Sequence, residues 1–143
     1  RSGTPALGLA AATAFSLELA CAGREERCAI VRRHSARLRK ALSAYPAVRI
    51  NSPEGAVPHI LNLSVKNVKG TVFQRALSER GVCVSVKSAC SADGLPSRAV
   101  FAVSRDRRNA LSSWRISLSH LTTDAEIDEF LAIFDECYHE LVK

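Results

Sequence analysis

The stretch ILNLSVKNVKGTVFQRALSERGVCVSV, residues 60–86, decides the fold class because two hydrophobic periods follow one another within it. Apolar and polar side chains alternate over residues 60–65, as in a half-buried β-strand. Apolar residues then recur at helical spacing, at Val72, Phe73, Ala76 and Leu77. Gly81 stops this short helix, and residues 82–86 are predicted as a further strand. The stretch therefore predicts a strand, a helix and a second strand in succession.

Helices are predicted on the N-terminal side of this stretch. Residues 7–22 are rich in Ala and Leu, and residues 24–42 are charged, with apolar residues at mostly helical spacing. Gly23 stands between them, so we expect two helices, or one helix interrupted at that glycine. Pro46 breaks the helical region, and residues 48–50 are predicted as a short strand before a turn.

The C-terminal side continues with helices and strands. Residues 96–103 suit a short helix with proline in its first turn, and a polar, arginine-rich connection follows. Residues 114–119 alternate as a strand does. Thr123 and Glu126 have the spacing of a capping box, which predicts the start of the last helix. The whole pattern predicts an α+β, or layered α/β, domain with a short mixed or antiparallel sheet packed with helices.

The composition is that of an ordinary globular domain. A chain of 143 residues can build one hydrophobic core, so we expect one domain. The net charge of +6 would attract polyanions, but the basic residues lack the interleaved aromatic side chains that stack on bases, and nucleic-acid binding is not expected. No apolar run approaches the roughly 20 residues of a membrane span, and no signal segment opens the chain. We therefore predict no membrane association and a cytoplasmic location.

The cysteines form no CxxC pair, so neither a metal site nor a disulfide framework is predicted. Four of them lie within apolar patterns and are predicted to be buried as small hydrophobic side chains: Cys21, Cys28, Cys83 and Cys137. Cys90 differs because its neighbours in VKSACSADGLP, residues 86–96, are small, which predicts an exposed loop. Lys87 is a nearby cation, and a cation beside a thiol lowers its pKa and favours the nucleophilic thiolate. From the residues alone, a functional Cys90 and an incidental surface cysteine both stay open.

A longer pattern surrounds this cysteine. Residues 58–97 resemble the C-terminal region of cysteine desulfurases of the NifS/IscS type, which belong to the class V aminotransferase family. The matching positions are Pro58, Ile60, Leu61, Asn62, Ser64, Gly70, Gly81, Val84, Ser85, Ser88, Ala89 and Cys90. RSGT, residues 1–4, matches the end of the family's large domain, and WRISLSHLTTDAEIDEFL, residues 114–131, resembles the family's C-terminal pattern. Lys87 departs from this pattern, since the family usually has glycine there.

The resemblance implies a pyridoxal-phosphate enzyme that takes sulfur from L-cysteine and releases L-alanine. Cys90 would be the nucleophile that keeps the sulfur as a persulfide and passes it to a scaffold or carrier protein, for iron–sulfur cluster assembly or tRNA thiolation. Arg115 aligns with the arginine that holds the substrate's α-carboxylate, a role that suits the planar guanidinium. Thr4 aligns with the threonine that contacts the cofactor phosphate of the opposite subunit in a homodimer.

The resemblance also implies a domain organisation. The cofactor lysine belongs to the family's large domain, so we expect this chain to be the C-terminal small domain of a fold-type I pyridoxal-phosphate transferase, and to be inactive alone. Residues 1–5 would be the tail of the large domain, residues 6–44 a helical linker region and residues 45–143 the small α/β domain. The four histidines match no catalytic position and are expected at the polar surface or its boundary: His34, His59, His120 and His139.

Two other classes of function stay open. A different class V lyase or transaminase would keep Arg115 without requiring Cys90. A non-catalytic basic interaction domain would need neither residue, and Arg115 would then be an outward-facing arginine on an alternating strand.

Overall fold

The computed structural model describes residues 3–87 and 95–142. In these two ranges the chain forms helices and strands in the order α1 (Leu7–Cys21), α2 (Arg24–Leu42), β1 (Val48–Ile50), β2 (Ile60–Val65), α3 (Gly70–Ser78), α4 (Arg98–Ser104), α5 (Arg107–Ser112), β3 (Ser113–Ser117) and α6 (Asp124–Leu141). The three strands make one antiparallel sheet in the order β1-β2-β3. The predicted α+β class with a short sheet is confirmed.

One face of the sheet makes the hydrophobic core. Alternate residues of β2 point into it, and Leu61 and Leu63 lie opposite Ile116 and Trp114 of β3. Helix α3 packs on this face, where Phe73 stacks on Trp114 with ring centroids 5.2 Å apart. Helix α6 packs against both α2 and α3 and closes the core. The period-2 alternation of the strands therefore leaves their other face for polar side chains.

Several predicted boundaries are confirmed with their physical cause. Gly23 has φ of 68° and separates α1 from α2, a conformation that glycine adopts without a Cβ penalty. At the start of α6 the Thr123 hydroxyl accepts a hydrogen bond from the Glu126 N–H, and the Glu126 carboxylate accepts one from the Thr123 N–H. This capping box also lowers the pKa of Glu126, because the backbone and side chain of Thr123 both donate to its carboxylate.

Three sequence expectations need correction. Residues 82–86 do not form a strand, because only Ser85 pairs, in a single antiparallel bridge to Arg115. The arginine-rich connection contains helix α5, whose first N–H groups donate to the Asp106 carboxylate. Helix α4 begins after its Ser97 cap, so Pro96 precedes the helix instead of lying in its first turn.

Helix α1 lacks a buried face. It has no buried residue, and its large apolar side chains are between 57% and 73% exposed: Leu7, Leu9, Phe15, Leu17 and Leu19. These side chains are distributed around the helix instead of along one stripe. A helix that is apolar all round is normally buried by other parts of a structure. Within the described ranges, no helix is both long and apolar enough to cross a membrane.

Candidate active site

A cleft of about 1030 Å³ opens on the polar face of the sheet. Its walls come from the loop after β1, from β2 and β3, and from α4 with the residues before it. Lys87 and Leu95 both line it. The predicted nucleophile, Cys90, lies between these two residues in the sequence but outside the residues that the structure describes. The described part of the chain therefore brings both flanks of the Cys90 segment to one cleft.

The cleft is cationic. Arg49, Lys87, Arg98 and Arg115 line it, and the lining residues that the structure describes include no carboxylate. Among the described residues, the one ion pair of these arginines is a long one, with Asp106 Oδ2 at 3.9 Å from Nη1 of Arg49. A cavity walled by one sign of charge concentrates ligands of the opposite sign. This cleft therefore favours an anionic ligand.

Arg115 is the most constrained of these cations. It sits in the middle of β3, where Asn62 of β2 is its cross-strand partner. On the other side its backbone exchanges two hydrogen bonds with Ser85, at 3.1 Å from Ser85 N to Arg115 O and 2.7 Å from Arg115 N to Ser85 O. Backbone pairing on both sides leaves the Cα of Arg115 little freedom. The strand therefore presents this side chain to the cleft from a fixed position.

The guanidinium of Arg115 lacks a partner among the described residues. Its Nε is buried and makes no hydrogen bond with a described residue, and no described carboxylate forms an ion pair with the group. A buried donor without an acceptor is costly, and in a native structure it needs an explanation, for which a functional role is one candidate. A carboxylate satisfies a guanidinium best because two parallel charge-assisted hydrogen bonds can form. The geometry thus suits recognition of a carboxylate.

A hydrogen-bonded amide cluster lies beside Arg115. It joins Asn51, Asn62, Ser64 and Asn109, with the Asn51 Nδ2 atom 2.9 Å from Asn62 Oδ1 and 2.8 Å from Ser64 Oγ. Asn62 was noted in the sequence only as part of the family pattern. Its position in the predicted strand already indicates a place on the cleft face, because polar residues that alternate with Leu61 and Leu63 must share the face opposite the core.

The structure places the other sequence-predicted site residue, Thr4, outside this cleft. Thr4 is exposed in the short segment before α1. Among the described residues its hydroxyl has no hydrogen-bond partner, so it is available to an outside acceptor or donor. The structure therefore does not bring Thr4 and Arg115 together within one copy of the chain.

The buried-cysteine prediction holds only in part. Cys137 is buried in the core, and burial raises the pKa of its thiol. Cys28 is half-buried, but Cys21 and Cys83 are exposed, so the prediction is wrong for these two. Cys21 lies on the uncovered helix α1, and Cys83 lies in the segment that fails to join the sheet. No group of three or more possible metal ligands occurs in the described ranges.

The expectation for the histidines is wrong at one position. His59, His120 and His139 are exposed, as expected, but His34 is only 1% exposed. It lies on the face of α2 that packs against α6, between Val31 and Leu38 at helical spacing. Its Nδ1 is 3.6 Å from Oδ1 of Asp124, at the start of α6. His34 is not among the residues that line the cleft, and it contributes to the packing of α2 on α6.

These features define a small α+β domain with a cationic cleft, into which β3 presents an arginine without a partner among the described residues. The chain matches the model of the aminotransferase class-V family over residues 1–130, and it belongs to that family.

Two curated relatives and one solved structure show the same kinship. A NifS/IcsS protein homolog from Lactobacillus delbrueckii subsp. bulgaricus is 30% identical over 146 aligned positions, which cover 100% of this chain and 38% of the relative. A mitochondrial cysteine desulfurase from Eremothecium gossypii is 33% identical over 138 positions, covering 95% of this chain and 28% of the relative. The structure of a NifS-like protein superposes with a TM-score of 0.80 at 28% identity, over 99% of this chain and 36% of that one. The chain thus spans well under half the length of these relatives.

Proposed function

We propose that the chain is the C-terminal small domain of a pyridoxal-phosphate-dependent cysteine desulfurase. In this proposal the full-length enzyme converts L-cysteine to L-alanine and retains the sulfur as a persulfide on Cys90. The observation that carries the proposal is the buried, unpaired Nε of Arg115 in a cationic cleft whose edges include both flanks of the Cys90 segment. Membership of the class V family, with relatives named as desulfurases, makes an amino acid the natural anion for this cleft.

Arg115 would hold the substrate's α-carboxylate. Its guanidinium can donate two parallel hydrogen bonds to the two carboxylate oxygens, which fixes orientation as well as position. Because β3 is paired on both sides of Arg115, the bound substrate would be positioned by the sheet and not by a loop. Correct placement of the reacting sulfur depends on such orientation.

Cys90 would receive the sulfur. Its thiolate attacks the substrate's Sγ, so that a new sulfur–sulfur bond forms while the substrate's Cβ–Sγ bond breaks. The electron pair of the broken bond stays on Cβ, which takes up a proton and becomes the methyl group of alanine. Lys87 and Leu95, which flank the seven residues around Cys90 in the sequence, both line the cleft of the proposed substrate site. The persulfide would then pass to an acceptor or scaffold protein serving iron–sulfur cluster assembly or tRNA thiolation.

Thr4 is the residue of this chain that would contact the cofactor. Its exposed, unpartnered hydroxyl fits a phosphate oxygen that comes from a second subunit of a homodimer, because it lies outside the cleft of its own chain. When bound, pyridoxal phosphate would supply an electron sink for cleavage of the substrate's bonds. The lysine that attaches the cofactor is expected in the large domain, so the 143-residue chain alone should bind none and show no turnover.

We propose the following domain boundaries for the full-length protein. Residues 1–5 would end the large domain, residues 6–44 would form the helical linker region, and residues 45–143 the small domain. The uncovered apolar surface of α1 supports this division, because a helix of that kind packs against other parts of a protein. The two relatives described above are long enough to supply such parts. We place the enzyme in the cytoplasm.

Intact-mass analysis of the full-length protein after incubation with L-cysteine tests the proposal. We expect a gain of one sulfur atom, mapped to Cys90 and absent in Cys90→Ser. Cys83→Ser is the matched control because Cys83 is an exposed thiol of the same chain. A protein that binds the cofactor but gains no sulfur, or that gains it equally in Cys90→Ser, would belong to another class V reaction.

A further inference from the structure

We infer that Asn62 is a second binding residue for the substrate's α-carboxylate, oriented by a chain of side-chain amides that runs from Asn109 through Asn51. The identity of the ligand rests on the proposed function. The orientation of Asn62 is inferred from side-chain hydrogen bonds, and its place beside Arg115 from the register of β2 and β3.

Asn62 and Arg115 are direct cross-strand partners in the β2–β3 pair. Side chains of directly opposed residues project from the same face of a sheet, with Cβ atoms roughly 5 Å apart. Both residues line the same cleft. A carboxylate held by the Arg115 guanidinium would therefore lie within reach of the Asn62 side chain.

The hydrogen bonds of Ser64 determine which way the Asn51 amide faces. The Ser64 hydroxyl has one proton, and it donates that proton to the backbone carbonyl of Asn109 at 3.0 Å. The Asn51 atom that lies 2.8 Å from Ser64 Oγ must then be a donor, which identifies it as Nδ2. The Asn51 Oδ1 atom accordingly accepts from Asn109 Nδ2 at 2.9 Å.

The orientation of the Asn51 amide in turn determines that of the Asn62 amide. The second hydrogen of Asn51 Nδ2 is donated to the Asn62 side chain at 2.9 Å, so the Asn62 atom at that position is the acceptor Oδ1. The Asn62 Nδ2 group is thereby turned away from Asn51. Among the described residues it has no hydrogen-bond partner, and it is not enclosed in the protein. The amide chain thus ends in a free N–H donor at the cleft.

This arrangement selects for an acceptor-only ligand. Each amide in the series donates to the next carbonyl oxygen, and such chains polarise their terminal donor. Together with the guanidinium, Asn62 provides donors for both oxygens of a carboxylate and offers no acceptor to an amine. The site should therefore discriminate strongly between an α-amino acid and the same amine without its carboxylate.

Calorimetric titration of the full-length, cofactor-loaded protein tests this role with two probes, L-alanine and ethylamine. We expect Asn62→Ala and Asn62→Asp to weaken L-alanine binding about 10-fold and up to about 100-fold, respectively, since a hydrogen bond to a charged group is worth roughly 1.5–3 kcal/mol. Ethylamine binding should stay within about twofold of the wild type, because ethylamine has no carboxylate to lose. Asn51→Ala should weaken L-alanine binding less, because it frees Asn62 to rotate without removing its amide.

The control variant is Asn67→Asp, which makes the same substitution at an exposed asparagine outside this cleft. A variant that is merely damaged would lose affinity for both probes alike, and that result would overturn the inference. It would also be overturned if the Asn62 variants bound L-alanine as the wild type does while Arg115→Lys did not, and the proposed function would then stand. A wild-type protein that neither bound L-alanine nor gained sulfur from L-cysteine would overturn both.

Discussion

Arg115 illustrates how much one side chain depends on its backbone. Its strand is paired with β2 on one side and with Ser85 on the other, so the guanidinium reaches the cleft without a protein counter-charge among the described residues. The proposal that it binds a carboxylate follows from this combination of rigidity and lack of a partner.

The first prediction concerns this residue. Arg115→Lys in the full-length enzyme should lower kcat/KM for L-cysteine by about 10- to 100-fold, because a point-like ammonium cannot form the paired hydrogen bonds of a guanidinium. Most of the change should appear in KM, since the carboxylate does not react. Steady-state assays of alanine formation measure both constants. Arg75→Lys, on the exposed side of α3, is the control, and an equal loss in that variant would contradict the assignment.

Tyr45 makes the stability of the folded chain depend on pH in the alkaline range. Burial, and then the hydrogen bond from the Tyr45 hydroxyl to Asp135 Oδ1 at 2.7 Å, raises the pKa of Tyr45 from 10.0 to about 12. The folded state therefore holds the phenol proton more tightly than the unfolded state does. The stability from this contact is complete below pH 10.0 and is lost as the pH rises toward about 12.

Tyr45→Phe tests this linkage. At neutral pH the variant should be less stable by about 1 kcal/mol, the typical net value of one hydrogen bond. Because phenylalanine does not titrate, the difference from the wild type should shrink as the pH rises through the alkaline range. Urea unfolding of both proteins at several pH values measures it. A difference that stays constant with pH would show that ionisation of Tyr45 is not coupled to folding.

At the residue level, sequence patterns alone do not reliably predict what surrounds a side chain. Cys83 sits in an alternating apolar segment and is nevertheless exposed, because its burial required a strand partner that the fold does not provide. His34 is buried because α6, about 90 positions later in the chain, covers it. The Asn62–Arg115 pair needed the register of two strands, which sequence periodicity cannot supply.

At the scale of helices and strands, boundaries that depend on adjacent residues are predicted correctly from the sequence. The capping box at Thr123 and the interruption of the helical region at Gly23 depend only on adjacent residues, and the sequence predicts both. The sequence does not predict helix α5, because its six residues are too few to show a helical period, even though Asp106 is a normal N-cap residue. The segment 82–86 was mistaken for a strand because alternation describes a side-chain pattern and not the presence of a neighbour.

Contact between two elements gives the third prediction. A Cβ atom at Gly70, the first residue of α3, would lie 2.5 Å from the backbone oxygen of Ser113, where β3 begins. Gly70→Ala should therefore push α3 from β3 and cost about 1–3 kcal/mol, as overpacking does. Chemical unfolding of the purified chain measures the loss. Gly8→Ala is the control, because an added Cβ there meets no atom within 4 Å, and equal effects would refute the packing argument.

At the scale of the whole molecule, the apolar surface of α1 should control solution behaviour. The purified 143-residue chain is expected to self-associate, because contiguous exposed apolar area drives association. Phe15→Glu should reduce this self-association, since Phe15 is 62% exposed. Sedimentation velocity over a range of concentrations measures it. Ser16→Glu adds the same charge without removing apolar area, so an identical effect would point to charge repulsion instead.

The two faces of the sheet have a consequence for how this protein tolerates change. Leu61 and Leu63 face the core, while Asn62 between them faces the cleft, and β3 repeats the arrangement with Arg115 between Trp114 and Ile116. If the proposed function holds, stability and substrate binding thus depend on interleaved positions of the same strands. In a library that varies every position of β2 and β3, variants at the core-facing positions should fail to accumulate in cells. Variants at the cleft-facing positions should accumulate but lose function. Substrate preference could then be redesigned at the cleft-facing positions while the core-facing positions are left unchanged.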